Sequence, residues 1–162
     1  MRLKHHFKEK IYMSIFFNYL IYNFSDMKNH ILKKIKFNRY PEKSGELVPF
    51  YNKNLKKLNF KLARFFFLFG KKQFFRADHA HMKCSQIIIP IKGKIKITTY
   101  RNKKKKIFYL NRLKNQALLI PTFTWLRINF FKNDDCLLTL CNYKYDKKEY
   151  INSFKIFKTK YF

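Results

Sequence analysis

From residue 31 to residue 140 the chain is written as short apolar runs broken by Gly, Pro, Asn and Asp, and this punctuation restricts its fold more than any other feature. Runs that read as strands fall at 31–37 (ILKKIKF), 45–50 (GELVPF), 63–69 (ARFFFLF), 73–83, 86–91, 94–100 (KIKITTY), 107–110, 117–120, 126–131 and 136–140. In 94–100, Lys94 and Lys96 alternate with Ile95 and Ile97, as in a strand with one wet and one buried face. The aromatic run 63–69, closed by Gly70, predicts a strand buried on both faces. Pro49 confines 45–50 to an edge or a strand end. Lys92-Gly93 marks a hinge between two strands, and the four lysines 103–106 a solvated hairpin tip. Strands this short, with no long helix between them, predict an all-β closed or double-sheet barrel, because closure removes exposed edges. After Asp146 the pattern changes: Tyr150, Phe154 and Phe157 stand at helical spacing, so 147–157 predicts a short C-terminal helix capped by Asp146.

Within this frame the polar cluster is Arg76-Ala77-Asp78-His79-Ala80-His81-Met82-Lys83-Cys84-Ser85-Gln86. Residues two apart on a strand share a face, so His79 and His81 look into one space while Ala80 faces away. The spacing His79-x-His81-x4-Gln86-x6-Gly93 resembles the first motif of the cupins, small jelly-roll (double-stranded β-helix) barrels whose interior holds a metal or a ligand. Gln86 stands where the metal-binding Glu of that motif usually stands, and a neutral amide is a poor substitute for an anionic oxygen. The second motif, Pro-x-Gly-x-x-His, falls on residues 121–126 with Leu126 at the histidine position. Two of four ligand positions therefore lack their ligands, and the sequence predicts neither metal nor cofactor. Imidazoles free of metal can act as acid and base near neutrality, since an unperturbed ring titrates near ~6.5.

The chain length suits one domain with a real core. Lys and Arg number 37 against 9 Asp and Glu, a net charge of +28 that suggests nucleic acid, an anionic membrane or an anionic substrate. Lys, Asn, Ile, Phe and Tyr, all abundant here, also share A/T-rich codons, so genome composition supplies part of this charge; no specific nucleic-acid role is expected. Cys84, Cys136 and Cys141 form no CxxC pair and fit a reducing cytoplasm. For Cys84 core packing competes with a catalytic reading. Residues 11–24 (IYMSIFFNYLIYNF) are shorter than the ~20 apolar residues that span a bilayer. An amphipathic helix on a membrane or partner, a signal-like segment and an upstream extension all compete there. The expected division is an N-terminal basic and apolar extension, 1–30, and a working domain, 31–162.

The order of short motifs carries a further resemblance. Gly45-Glu46-Leu47-Val48, then Phe60-Lys61-Leu62-Ala63-Arg64 leading into the aromatic strand, Arg76-x-x-His79-Ala80-His81-x-Lys83, Gln86 to Ile89, Gly93, Ile120-Pro121 with Trp125, and Tyr145-Asp146 with Tyr150-Ile151 follow one another through most of the domain. From residue 45 to residue 157 the chain thus resembles the cupin-type nucleotide-sugar 3,4-ketoisomerases (WxcM-like), which act on dTDP-4-oxo-6-deoxyglucose.

The resemblance implies a metal-free isomerase in which His79 and His81 are the catalytic pair. Arg76, Arg64, Lys83, Gln86 and Trp125 would bind the substrate or wall the cavity. It further implies a homodimer, a dTDP-linked sugar as ligand, and a place between a 4,6-dehydratase and a PLP-dependent aminotransferase in the synthesis of a deoxyamino sugar for a surface glycan. The chain departs from the family at Phe66 and Phe67, where tyrosines are common, at Ala77 in place of glycine, at Asp78 in place of an apolar residue, and at Leu126 in place of histidine. Two other readings stand beside the isomerase: a basic binding module on a cupin barrel that has lost its reaction, and an epimerase on a related nucleotide sugar.

Overall fold

A computed structural model of the protein describes residues 31–162. The expectations for residues 1–30 lie outside the described residues. The strands are β1 (Lys33–Lys36), β2 (Tyr40–Glu42), β3 (Gly45–Leu47), β4 (Arg64–Phe69), β5 (Phe75–His81), β6 (Gln86–Lys92), β7 (Lys94–Arg101), β8 (Lys104–Asn111), β9 (Gln116–Ile120), β10 (Trp125–Phe130), β11 (Cys136–Cys141) and β12 (Tyr150–Ile151). Two short helices accompany them, α1 (Asn52–Lys56) and α2 (Phe154–Tyr161). No helix among the described residues is long and apolar enough to cross a membrane.

The strands form two five-stranded antiparallel sheets, β1-β9-β6-β11-β4 and β12-β5-β10-β7-β8, and a separate hairpin, β2-β3. Their inner faces meet in one apolar core of Ile88, Ile95, Ile97, Leu110, Leu118, Ile120, Leu126, Ile128, Phe130 and Leu137, the double-sheet jelly-roll barrel of a cupin. Period-two alternation puts these residues there. On β7, Ile95 and Ile97 point inward and Lys94 and Lys96 outward. The outer face of the first sheet is covered in part by the segment before β4: Leu55 and Phe60, with Phe37 and Phe50, pack on Ile87, Leu119 and Leu140. That second layer explains why β6 is an unbroken apolar run. At Gly93 the chain turns from β6 to β7 with φ +78, and a Cβ there would lie 1.8 Å from Asp135 Oδ1, so only glycine fits.

Three expectations are corrected. β4 is not buried on both faces: Phe66 and Leu68 turn inward while Phe65, Phe67 and Phe69 are 60%, 53% and 66% exposed. The cause is position, because β4 is the edge of its sheet and the covering layer packs elsewhere. The hairpin tip is Asn102-Lys103, both left-handed, and the lysines at 104–106 already belong to β8.

The C-terminal helix starts later than its spacing suggests. Asp146 does accept a hydrogen bond from the Lys148 N–H at 2.9 Å, but it caps a single 3₁₀ turn, Lys147–Glu149. Tyr150 and Ile151 then pair with His81 and Ala80 at the free edge of β5, and the helix begins only at Phe154, with Ser153 as its cap. Tertiary pairing overrides the helical period at Tyr150.

Candidate active site

β5 would be unable to present Arg76 and His79 to one cavity if it were regular, because residues three apart face opposite sides of a sheet. A bulge corrects the phase. Arg76 pairs with Ile128 and His79 with Leu126, both partners facing the core, while the register shifts between Leu126 and Arg127 and leaves Asp78 as the extra residue. Ala77 and Asp78 take φ of +65° and +66°. For residues other than glycine that region costs roughly 1–2 kcal/mol each. On the outer face Asp78 receives Arg127 Nε and Nη2 at 2.9 Å each and the Trp125 indole N–H at 3.0 Å.

The cavity so formed between the sheets has a volume of about 350 Å³. Arg76, His79 and Ala77 line it from β5, Gln86 from β6, Phe66 and Leu68 from β4, Leu126 and Ile128 from β10, and Thr139 from β11. His81 lies just behind, with its Nε2 3.1 Å from His79 Nε2 and 3.2 Å from the Gln86 amide nitrogen. Its Nδ1 meets Glu149 Oε1 at 2.5 Å, and the other oxygen of that carboxylate accepts from the Lys83 and Cys84 backbone N–H groups at 3.1 and 3.4 Å. The ring of Tyr150 closes the back of the pair, 4.3 Å from the His81 ring and 4.9 Å from that of His79, centroid to centroid.

These contacts assign the protons. Burial alone would raise the Glu149 carboxyl, but the His81 hydrogen bond and charge and the two backbone donors outweigh it and hold the group below its usual range. An ionised carboxylate can only accept, so His81 carries its proton on Nδ1 and turns the Nε2 lone pair toward Gln86 and His79. For His79, burial first and the neighbouring His81 second push the ring from 6.5 down to about 4, against the pull of the Ala77 carbonyl and of Glu149 and Asp78. His79 is therefore neutral at physiological pH and able to take a proton.

The residues singled out in the sequence divide into two groups. His79, Arg76 and Gln86 line one cavity, and His81 touches two of them. Arg64 stands apart from that lining: its Nε donates to the Tyr143 carbonyl at 3.3 Å, and its guanidinium packs over the Phe66 and Tyr145 rings. Lys83 is exposed, its Nζ over the Tyr143 ring, and serves the site through its backbone. Trp125 lies on the opposite face of the sheet, against Phe154 and Phe157 of α2. Cys84 is buried beside Cys141, and that contact together with burial keeps its thiol protonated, which suits packing and not nucleophilic attack. Glu149 is not singled out in the sequence, where its only mark is that it is one of 9 acidic residues, and Tyr150 is named there for its helical spacing and as part of the motif order, not as a residue of the site.

The donors in the cavity do not suit a divalent ion. At the four positions where a cupin metal would sit the chain offers two imidazoles, a neutral amide and the hydrocarbon of Leu126. His81, Cys84 and Glu149 also bring ligand atoms within 4.8 Å of one another, but both Glu149 oxygens are already taken by His81 and the two N–H groups.

The shift of His79 predicts a pH effect. Above 6.5 the ring is neutral in both the folded and unfolded chain; between 6.5 and about 4 the unfolded chain takes up a proton that the folded site refuses. Its share of stability therefore falls as pH drops through that window. An NMR titration of the His79 ring is expected to show a midpoint near 4, with urea unfolding midpoints declining from pH 7 toward about 4.5. A ring that titrates near 6.5 contradicts this picture of the site.

A comparison with curated protein sequences returns no match. Among solved structures the chain is similar to a 3,4-ketoisomerase from Helicobacter canadensis, with 28% identity and a TM-score of 0.71 over 79% of this chain and 95% of that one. It is also similar to the sugar 3,4-ketoisomerase QdtA from Thermoanaerobacterium thermosaccharolyticum, solved in complex with TDP (27% identity, TM-score 0.70, 78% and 90% covered). A third is WlaRA, a TDP-fucose-3,4-ketoisomerase from Campylobacter jejuni (30% identity, TM-score 0.67, 78% and 92% covered). The 3'-monoepimerase ChmJ from Streptomyces bikiniensis, at 10% identity and a TM-score of 0.66, shares the fold. The family model described as FdtA: WxcM-like, C-terminal, matches residues 25–161, and the chain belongs to that family.

Proposed function

We propose that this protein is a sugar-nucleotide 3,4-ketoisomerase, moving the keto group of a dTDP-linked 4-oxo-6-deoxyhexose from C4 to C3. The observation that carries the reading is the contact of two imidazole Nε2 atoms at 3.1 Å beside a cavity, backed by a buried carboxylate. The C4 carbonyl acidifies the C3 hydrogen. Neutral His79, the imidazole that lines the cavity, takes that proton; the C3–H electron pair forms the C3–C4 double bond and the C4 carbonyl electrons move onto O4, giving an enediolate. The O3 proton passes to the adjacent O4, the C3 carbonyl forms from the O3 electrons, and C4 takes its proton back from the histidine pair. His81 shares the proton through Nε2, and the charge that arrives on its ring has Glu149 at 2.5 Å. Each such acid–base group is typically worth about 10²- to 10⁴-fold in rate.

The surroundings suit this substrate class. Arg76 at the exposed edge of the cavity matches a diphosphate in charge and planar geometry, and a net charge of +28 draws in anions. Phe66 and Leu126 provide hydrocarbon against the 6-deoxy sugar ring. The same reading puts the enzyme in the cytoplasm, between a dehydratase that makes the 4-oxo sugar and an aminotransferase that uses the 3-oxo product for a surface glycan.

Incubated with dTDP-4-oxo-6-deoxyglucose in deuterated water, the protein is expected to yield the 3-oxo isomer with deuterium incorporated at the reacting carbons, followed by NMR. His79→Asn and His81→Asn should each lower kcat by about 10²-fold or more. Exchange at C3 without a moved keto group would instead mark an epimerase. Absence of both, with salt-sensitive binding of nucleic acid that survives the two substitutions, would mark a basic binding module.

The second element of the proposal is a homodimer. Phe65, Phe67 and Phe69 form an exposed aromatic stripe on the edge strand β4, and a second copy laid on this face would bury it. Sedimentation is expected to give a dimer for the native chain and a monomer for Phe67→Lys. A native monomer would contradict this element.

A further inference from the structure

We propose that Asp78, clamped by Arg127 and Trp125 on the outer face of the second sheet, is a positioning residue that holds the strained bulge by which Arg76 and His79 reach the same cavity. This rests on the reading of His79 as a catalytic base, and it adds a requirement that the base itself does not reveal.

Ala77 and Asp78 follow one another at φ +65° and +66°, a conformation that side chains resist and that persists only where contacts fix it. Asp78 has no ladder partner, while Arg76 and His79 on either side pair in register with Ile128 and Leu126, both of which belong to the core. Were the segment a regular strand with no bulge, Arg76 and His79, three residues apart, would point to opposite faces. The contacts that oppose this come from β10. Arg127 makes a two-pronged bond to the Asp78 carboxylate at 2.9 Å on each prong, and its guanidinium lies 4.4 Å from the Phe75 ring centroid. The Trp125 indole adds a bond at 3.0 Å.

The clamp has its own support. Trp125 is buried under Phe154 and Phe157, so α2 anchors the indole that anchors Asp78. The sheet thereby links its inner cavity to the helix on its far side through the Asp78 side chain. Trp125, expected from the sequence to touch substrate, acts here through Asp78 and His79.

The test uses the full chain and two readouts, ketoisomerase kinetics and an NMR titration of the His79 ring. Asp78→Ala is expected to lower kcat by roughly tenfold or more with a smaller change in KM, and to move the His79 midpoint upward from about 4 toward 6.5 as the ring leaves its buried place. Arg127→Ala should do the same. Adding Ala77→Gly to Asp78→Ala should restore kcat to within about threefold of the native value, because glycine holds a positive φ without a clamp. The proposal is overturned if Asp78→Ala leaves kcat and the His79 midpoint unchanged. It is also overturned if Asp78→Ala folds but loses activity and adding Ala77→Gly does not restore it. If Asp78→Ala does not fold, Arg127→Ala with and without Ala77→Gly decides by the same criteria. A native protein that forms no 3-oxo product removes the isomerase reading alone; the His79 titration of the variants then still judges the clamp.

Discussion

A carboxylate with 1% of its surface exposed, in a chain of net charge +28, is the contact on which the site depends. Glu149 would be costly to bury alone, and it is not alone: His81 Nδ1 and two backbone N–H groups satisfy it. Each of these donors is brought there by a separate piece of the fold. β5 supplies the imidazole, the turn from β5 to β6 supplies the N–H groups, and the pairing of β12 with β5 brings the acid back along the chain. The same pairing lays the Tyr150 ring over both imidazoles. Fold and chemistry are therefore joined at the two residues that complete the edge of the second sheet.

Much of the barrel could be read from the sequence because period-two burial follows directly from strand geometry. Ile95 and Ile97 against Lys94 and Lys96, and His79 with His81, needed no further information. What escaped the sequence depended on contacts made far along the chain. Tyr150 shares a helical spacing with Phe154 and Phe157, and only the open edge of β5 turns it into a strand residue. Arg76 and His79 share a cavity through a bulge stabilised by Arg127 and Trp125, about fifty residues downstream. The exposed faces of Phe65, Phe67 and Phe69 follow from β4 being last in its sheet, which no local pattern records.

The site departs from the metal-binding motif that the spacing of His79, His81 and Gln86 resembles. Where a cupin metal would be gripped, Gln86 offers an amide that fixes one imidazole lone pair, and Leu126 offers hydrocarbon. Removing an anionic ligand from the cavity and placing a carboxylate behind His81 shifts negative charge from the metal position to the far side of the ring. The result is a neutral, half-buried His79 next to an imidazole whose proton is held on the side away from it.

Glu149 fixes the tautomer of His81 so that Nε2 is bare and faces His79. Imidazole ¹⁵N chemical shifts measured at neutral pH on the ¹⁵N-labelled protein test it without any substrate. His81 is expected to show a protonated Nδ1 and an unprotonated Nε2. A proton found on Nε2, with Nδ1 bare against the carboxylate, would contradict it.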